Sequence, residues 1–294
     1  MTDPSDPRES SESSAARSGS ATPVPELSVV VITRDEAARL ARCLRSVAFA
    51  DEIIVVDSGS TDGTVEIARA HGARVEVTSD WPGFGAQKNR ALALARGRWV
   101  LSLDADEWLD EALAAEVARI VAAPPADLAW RLPRLSSFCG QWMRHGGWYP
   151  DRVLRLFPRE GARFSDDRVH ERLLWSGLRA DLDGHGHLLH ESMATLTVAN
   201  DKMNRYSSGR AADLAARGRR GGLGRAIGHG LWAFVRTWIL RRGFLDGRLG
   251  FVLAVHNAEA SYYRYLKIWL ECGGEPPRAP ASPPSSNSPS PPTR

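Results

Sequence analysis

The chain has 294 residues, 43% hydrophobic and 25% charged. That composition belongs to a globular protein of one substantial domain or two small ones, and excludes a wholly disordered chain. A net charge of +3 is too small to point to nucleic acid, and no nucleic-acid partner is expected. Three widely spaced cysteines, Cys43, Cys139 and Cys272, with no C-x-x-C between them, fit a reduced, cytoplasmic chain without a zinc knuckle.

Residues 1–25 are rich in Ser, Pro, Asp and Glu and lack the basic start and apolar core of a secretory signal, so a disordered tail is expected there. Leu27 to Ile32 is a short β-branched run that reads as a strand. Asp35 to Val47 then places Leu40, Leu44 and Val47 at helical spacing, with Thr33 and Glu36 as a candidate capping box. Ile53 to Val56 repeats the strand theme and is broken by Asp57-Ser58-Gly59-Ser60-Thr61-Asp62-Gly63. Thr64 to Ala70 follows as a helix ended by Gly72, and Arg74 to Val77 as a third strand. Gly85 to Arg96 reads as a helix, the apolar run from Trp99 to Leu103 as a strand, and Glu111 to Val121 as a helix stopped before Pro124-Pro125.

Near-continuous apolar strands interleaved with helices predict an α/β fold, a mostly parallel, Rossmann-like sheet flanked by helices. Ligands of such sheets bind beyond the carboxyl ends of the strands. Thr33, Asp57 and the pair Asp104 and Asp106 each follow a predicted strand, so they are expected to converge on one edge. Two carboxylates separated by one small residue, Asp104-Ala105-Asp106, can hold Mg²⁺ or Mn²⁺ through oxygen and bridge it to phosphate. Aspartates also end strands as plain turn residues, and that is the reading given to Asp62.

From Leu128 the rhythm changes. Trp130, Trp142, Trp148, Tyr149 and Trp175 accompany many arginines, with strands expected at Arg152 to Phe157 and Leu188 to His190. Long loops here suit an acceptor-binding half. Beyond Asn200 the chain reads as helical and basic. Lys202, Arg205 and Arg210 begin a series of basic residues running to Arg248, while Leu231, Trp232, Phe234, Val235, Trp238, Ile239 and Leu240 form an apolar cluster. Basic helices that carry Trp and Phe suit an anionic membrane surface. The alternative, aromatics packed inward and arginines solvated, is compatible with it. Gly222 to Gly228 spells a glycine pattern of dinucleotide-binding proteins, but no apolar strand precedes it, and a flexible joint between helices is expected instead. Residues 274–294, dominated by Pro, Ser and Ala, read as a second disordered tail. No run of about 18 uncharged apolar residues is present, which argues against a membrane-spanning helix.

Four segments in order, Leu27 to Thr33, Glu52 to Thr64, Gln87 to Leu92 and Asp104 to Glu107, resemble the family 2 glycosyltransferases, which have a GT-A fold. By that resemblance Asp57 contacts the uracil or ribose of a nucleotide sugar, Thr33 lines the nucleotide pocket, Asp104 faces the ribose and Asp106 holds the metal at the diphosphate. Further segments, Trp148 to Arg152, Arg155 to Phe157, Val169-His170-Glu171, His190 with Lys202 to Tyr206, and Gly243 to Gly247, are similar to lipopolysaccharide inner-core β-glucosyltransferases of Gram-negative bacteria. The likeness spans about residues 26 to 272. It divides the chain into a glycosyltransferase domain at 26–199, with a nucleotide-sugar half at 26–123 and an acceptor half at 124–199, and a basic, membrane-associating helical extension at 200–273.

The function implied is inverting, metal-dependent transfer of a sugar, glucose first among the candidates, from a UDP-sugar to a lipid-linked saccharide in the heptose region of the inner core. The protein would work peripherally on the inner face of the cytoplasmic membrane. Inversion requires neutralisation of the departing diphosphate and a carboxylate that takes the acceptor proton. Glu171 is the expected base, with Asp151 as the alternative, since the Glu-Asp pair of many relatives is missing; a salt bridge to one of the neighbouring arginines is the structural reading of Glu171. Of the clustered His185, His187 and His190, two are expected to be exposed loop residues, and His190 is kept as a metal or diphosphate contact. Lys88 and Lys202 are candidate phosphate or nucleotide contacts, or else solvated surface charges. Two other functions remain. A nucleotide-sugar-forming nucleotidyltransferase would normally carry a glycine-rich, arginine-containing loop where this chain has Thr33-Arg34-Asp35-Glu36. A non-enzymatic membrane or nucleic-acid binding module would tolerate loss of Asp57 and Asp106.

Overall fold

The computed structural model describes residues 25–123, 128–166 and 171–272. Val169 and His170 lie outside these residues, as do both expected tails apart from Pro25.

Strands β1 (Leu27–Thr33), β2 (Glu52–Asp57), β3 (Arg74–Val77) and β4 (Trp99–Asp104) alternate with helices α1 (Ala37–Ser46), α2 (Thr64–Ala70) and α3 (Phe84–Leu94). β1 pairs in parallel with both β2 and β4, and β2 with β3. Because successive strand residues face opposite sides, β1 feeds two cores. Val29 and Val31 join Leu40, Leu44 and Leu113 on one face, while Val30 and Ile32 join Ala91, Leu92 and Phe157 on the other. Burial on both faces is why β1, β2 and β4 are mostly apolar, whereas the edge strand β3 is largely exposed and carries Arg74 and Glu76.

β5 (Glu107–Leu109) and α4 (Glu111–Ala122) follow. β6 (Leu128–Phe138), β7 (Gln141–Trp142), β8 (Asp151–Pro158), β9 (Arg163–Phe164), β10 (Leu173–Leu174), β11 (Leu178–Asp181) and β12 (Leu188–Met193) make up the second half. The main path of the ten-stranded sheet is β3-β2-β1-β4-β8-β6-β12-β5, with β7 and β11 attached to β6. The two expected halves, 26–123 and 124–199, therefore share one sheet. β8 enters antiparallel to β4, Val100 opposite Phe157, and β12 runs parallel to β6.

Helices α5 (Leu196–Ala216), α6 (Leu223–Val235) and α7 (Gly247–Leu270) form the carboxyl-terminal region, with a π-helical turn at Arg236–Leu240 and a 3-10 turn at Gly243–Asp246. Asp246 joins this region to the sheet domain. Its buried carboxylate accepts hydrogen bonds from the Arg144 and His145 backbone N–H groups and lies 2.8 Å from His145 Nδ1. None of the described helices is long and apolar enough to cross a membrane.

α6 is inside out. Its buried residues are Ala226, Gly230 and Ala233, with Gly230 approaching Ala258 and Tyr262 of α7 closely enough that a Cβ would meet the Tyr262 Cβ at 3.3 Å. The large residues Leu223, Ile227, Leu231 and Trp232 are exposed, and so are Ile239, Leu240, Phe244 and Leu245 beyond them.

Three local expectations are corrected. The Thr33 and Glu36 capping box does not form: Glu36 is the N-cap of α1 but makes no side-chain cap, and its carboxylate holds Arg39 instead. Gly222 to Gly228 is not a flexible joint but the cap and first two turns of α6. The glycines around His185 do not make a loose turn, because a Cβ on Gly186 would stand 2.2 Å from the Leu113 N. Only His185 of that pair is exposed; His187 is held by Asp110, the N-cap of α4, through both its backbone N–H and Nδ1. Asp62 has the turn and capping role expected of it, accepting from the N–H groups of Ala37 and Thr64.

Candidate active site

Parallel register places the strand ends side by side: Thr33 is level with Asp57, and Ile32 with Asp104. An open cleft of about 2000 Å³ lies beyond this edge and is lined by Thr33, Lys88, Asp104, Asp106, Glu171, His190 and Lys202. Seven of the nine expected site residues thus meet in one cavity. Asp57 and Asp151 are not on its wall. Asp57 is fully buried and accepts from the Gly59 and Ser60 N–H groups and the Ser60 hydroxyl. Asp151 accepts from the Arg134 guanidinium, and Arg134 itself reaches the cleft.

Five charges pack at the centre. Lys88, only 3% exposed, places Nζ 2.9 Å from Asp104 Oδ1 and 2.7 Å from Glu171 Oε1. It is no solvated surface charge. Glu171 does form a salt bridge, as its structural reading expected, but to this lysine. Arg155 reaches Asp104 Oδ2 at 2.5 Å and Glu107 Oε1 at 2.6 Å. Burial opposes ionisation of Asp104, but Arg155 and Lys88 outweigh it and hold the carboxyl well below its ordinary range. Arg155 is pushed up in turn: burial disfavours its charge, and Asp104 and Glu107 more than compensate.

Asp106 lies beyond β4, in the turn to β5, and faces a different partner. Its Oδ2 is 3.5 Å from His190 Nε2, while His190 Nδ1 is 2.9 Å from Ser136 Oγ. Burial opposes the charge on Asp106, yet the His190 contact carries it below the ordinary range, with help from Lys202. Lys202 is lowered, first by burial and then by Arg39 and Arg205 against the pull of Asp106 and Glu36, and its Nζ donates to the Ser192 carbonyl at 2.6 Å. Burial raises Glu36 nearby, against the Arg39 charge.

Among the described residues no group of three or more His, Cys, Asp or Glu side chains is placed to hold a metal ion. Asp106 and His190 nevertheless fit one. Mg²⁺ commonly takes one or two protein groups and completes its shell with phosphate oxygens and water. Contact between Nδ1 and Ser136 leaves Nε2 to face the cleft, the usual arrangement of a ligating imidazole. The cleft wall also offers an open polar contact: Thr33 Oγ1 is buried there and finds no hydrogen-bond partner among the described residues.

Arg155, Arg134 and Glu107 carry much of this site and were given no role in it from sequence. A signal for Arg155 was present. Arg155 stands alone between Leu154 and Leu156 in the otherwise apolar run from Val153 to Phe157.

The chain matches the model of glycosyl transferase family 2 over residues 28–173. An uncharacterized glycosyltransferase of Rickettsia typhi is 32% identical over 254 residues, covering 83% of this chain and 86% of that protein. The lipopolysaccharide core biosynthesis glycosyltransferase LpsC of Rhizobium meliloti is 29% identical over 258 residues, covering 83% of this chain and 92% of that one. Among solved structures, S. aureus TarS 1–349 superposes with a TM-score of 0.42 at 15% identity, over 81% of this chain and 91% of that one.

Proposed function

This chain belongs to glycosyl transferase family 2, and from that premise we propose that it moves a hexosyl group, glucose first, from a UDP-sugar to the heptose region of a lipopolysaccharide inner core, with inversion. The observation that carries this reading is the meeting of Thr33, Lys88, Asp104, Asp106, Glu171, His190 and Lys202 in one cleft at the carboxyl edge of an α/β sheet of the GT-A type. The similarity to LpsC favours a lipopolysaccharide acceptor.

In this reading Thr33 and Asp104 bind the nucleoside, and Asp57 acts by fixing the 57–60 turn beside them. Asp106 and His190 hold the divalent ion, Mg²⁺ or Mn²⁺. When bound, that ion supplies positive charge to the departing diphosphate without proton transfer. Lys88 and Lys202 add fixed cations on either side. Glu171 takes the proton of the acceptor hydroxyl as the new glycosidic bond forms and the bond from the anomeric carbon to the diphosphate breaks. Asp151 is second choice, since its carboxylate is held by Arg134 and lies off the cleft wall.

The carboxyl-terminal helices serve as a peripheral membrane contact on the cytoplasmic face, presenting the cleft to a lipid-linked acceptor. Leu223, Ile227, Leu231 and Trp232 on the outside of α6 would enter the headgroup boundary, with arginines around them. Donor binding tests the core of the proposal. The full chain is titrated with a panel of nucleotide sugars with and without Mn²⁺ or Mg²⁺, and slow donor hydrolysis is followed. Metal-dependent binding and hydrolysis of UDP-sugars are expected. Absence of metal-dependent nucleotide-sugar binding overturns the reading, and formation of a nucleotide sugar from a nucleoside triphosphate and a sugar phosphate favours the nucleotidyltransferase.

A further inference from the structure

The cleft is more basic than a donor requires. Among the described residues ten lysine and arginine side chains line it, against five carboxylates. A UDP-sugar brings two negative charges on its diphosphate, and a divalent ion cancels them. The excess of cations therefore needs another partner.

The excess is also localised. Around the strand ends the charges are matched, Lys88 and Arg155 against Asp104 and Glu171. Farther out, one face of α5 lines the cleft with Lys202, Arg205, Tyr206, Arg210, Asp213 and Arg217, at helical three- and four-residue steps apart from the adjacent pair Arg205 and Tyr206, so that the wall runs for about 22 Å along the helix axis. Facing partners on the cleft include Arg172, Arg179 and Trp175. Trp175 is fixed by its Nε1–H donating to the Leu178 carbonyl, and Arg179 donates to the Trp175 carbonyl. Among the described residues, no ion pair joins Arg172, Arg205, Arg210 or Arg217 to a carboxylate. Among the described residues Asp213 is the one carboxylate on that wall, so positive charge is in excess there. Arg264, on α7 behind the wall, is lowered by burial and then by the Arg210 charge.

We infer that this outer half of the cleft is an anion-reading acceptor subsite, built for a saccharide that bears phosphate or carboxylate groups. The inference rests on the glycosyltransferase reading of the same cleft. Guanidinium forks pair with both anions in two-pronged geometry, a concave wall of one sign raises the local concentration of the opposite charge, and Trp175 offers a flat apolar face beside them.

The test uses the full chain saturated with UDP and Mn²⁺, so that the donor half is filled. Glucose 6-phosphate, glucuronate and glucose are titrated in calorimetry at low and high salt. At least one charged sugar is expected to bind about tenfold or more tightly than glucose, with an advantage that shrinks as salt rises. The stronger of the two identifies the group that is read. Arg210→Ala with Arg217→Ala, both exposed positions, is expected to remove that advantage while UDP affinity stays at the wild-type level, which also reports that the variant is folded. Equal affinity for glucose and both charged sugars, or an advantage that survives in the double variant, overturns the inference. If UDP fails to bind, the donor reading fails by itself, and the same titration of the unliganded chain still decides the anion preference.

Discussion

Lys88 Nζ lies between two carboxylates, 2.9 Å from Asp104 Oδ1 and 2.7 Å from Glu171 Oε1. One buried ammonium thus links the end of β4 to the segment before β10. It also holds Glu171 at the cleft wall, where the proposed mechanism needs a base. Glu171→Gln is nearly isosteric and removes the carboxylate charge, and with it both the base and the ion pair to Lys88. Transfer to acceptor is expected to fall about 10²- to 10⁴-fold with UDP affinity unchanged, measured as product formation and as nucleotide binding on the same preparation. Retained transfer moves the base to Asp151, and Asp151→Asn then takes the loss.

Asp106 and His190 form the second pair, and Ser136 orients the imidazole through Nδ1. Asp106→Asn is expected to abolish the dependence of UDP binding on added Mn²⁺. Ser136→Ala is the finer test, because it leaves both proposed ligands in place. Loss of such an orienting contact typically costs about 10- to 100-fold in metal affinity. Mn²⁺ affinity at fixed UDP, followed by electron paramagnetic resonance, checks both. Wild-type affinity in Ser136→Ala would mean that the imidazole does not ligate.

The strands and helices from Leu27 to Ala122 were legible, the short β5 excepted, because their residues obey one rule each. β1, β2 and β4 are buried on both faces and so mostly apolar, and α2 and β3 begin and end where the sequence placed them. β6 was not legible. It carries Arg131, Pro133 and Arg134 in a strand that lies between β8 and β12, and its pattern becomes intelligible only when Arg134 is seen reaching Glu107 and Asp151. The position of Asp106 was read from the Asp104-Ala105-Asp106 spacing. Its partner His190 comes from β12, and no spacing rule predicts an encounter across 84 residues of chain. Likewise the basic, aromatic character of residues 223–245 was evident, but which residues face outward depends on α7 occupying the small-residue side of α6.

Asp104 makes the site sensitive to acid. Its carboxyl is opposed by burial but held well below the ordinary value of 3.8 by Arg155 and Lys88. A group lowered on folding contributes stability that is fully present above its unfolded pKa and is lost as pH falls through the folded value. The contribution is therefore complete at neutral pH and disappears in the window below 3.8. Asp104→Asn is expected to lower the melting temperature at neutral pH and to flatten the fall of stability below about pH 4. Thermal melts of both proteins across the acid range check the sign. A variant as acid-labile as the wild type would place the sensitivity on another carboxylate.

The outward face of α6 reverses the usual order of a soluble helix, with Ala226, Gly230 and Ala233 inside and Leu223, Ile227, Leu231 and Trp232 outside. Each large apolar side chain left in water forgoes about 1.5–3 kcal/mol of burial, so such a face is expected to find an apolar partner. From Arg217 to Leu245 the chain has seven arginines and no Asp or Glu, which selects an anionic one. The full chain is expected to sediment with phosphatidylglycerol-containing vesicles at low salt, to release as salt rises, and to ignore neutral phosphatidylcholine vesicles. Leu231→Glu with Trp232→Glu puts charge into the apolar stripe without touching the α7 contact. That variant is expected to lose vesicle binding while keeping its melting temperature and UDP affinity. Wild-type protein that stays in the supernatant at low salt, or a double variant that still sediments, removes the bilayer as the partner of this face.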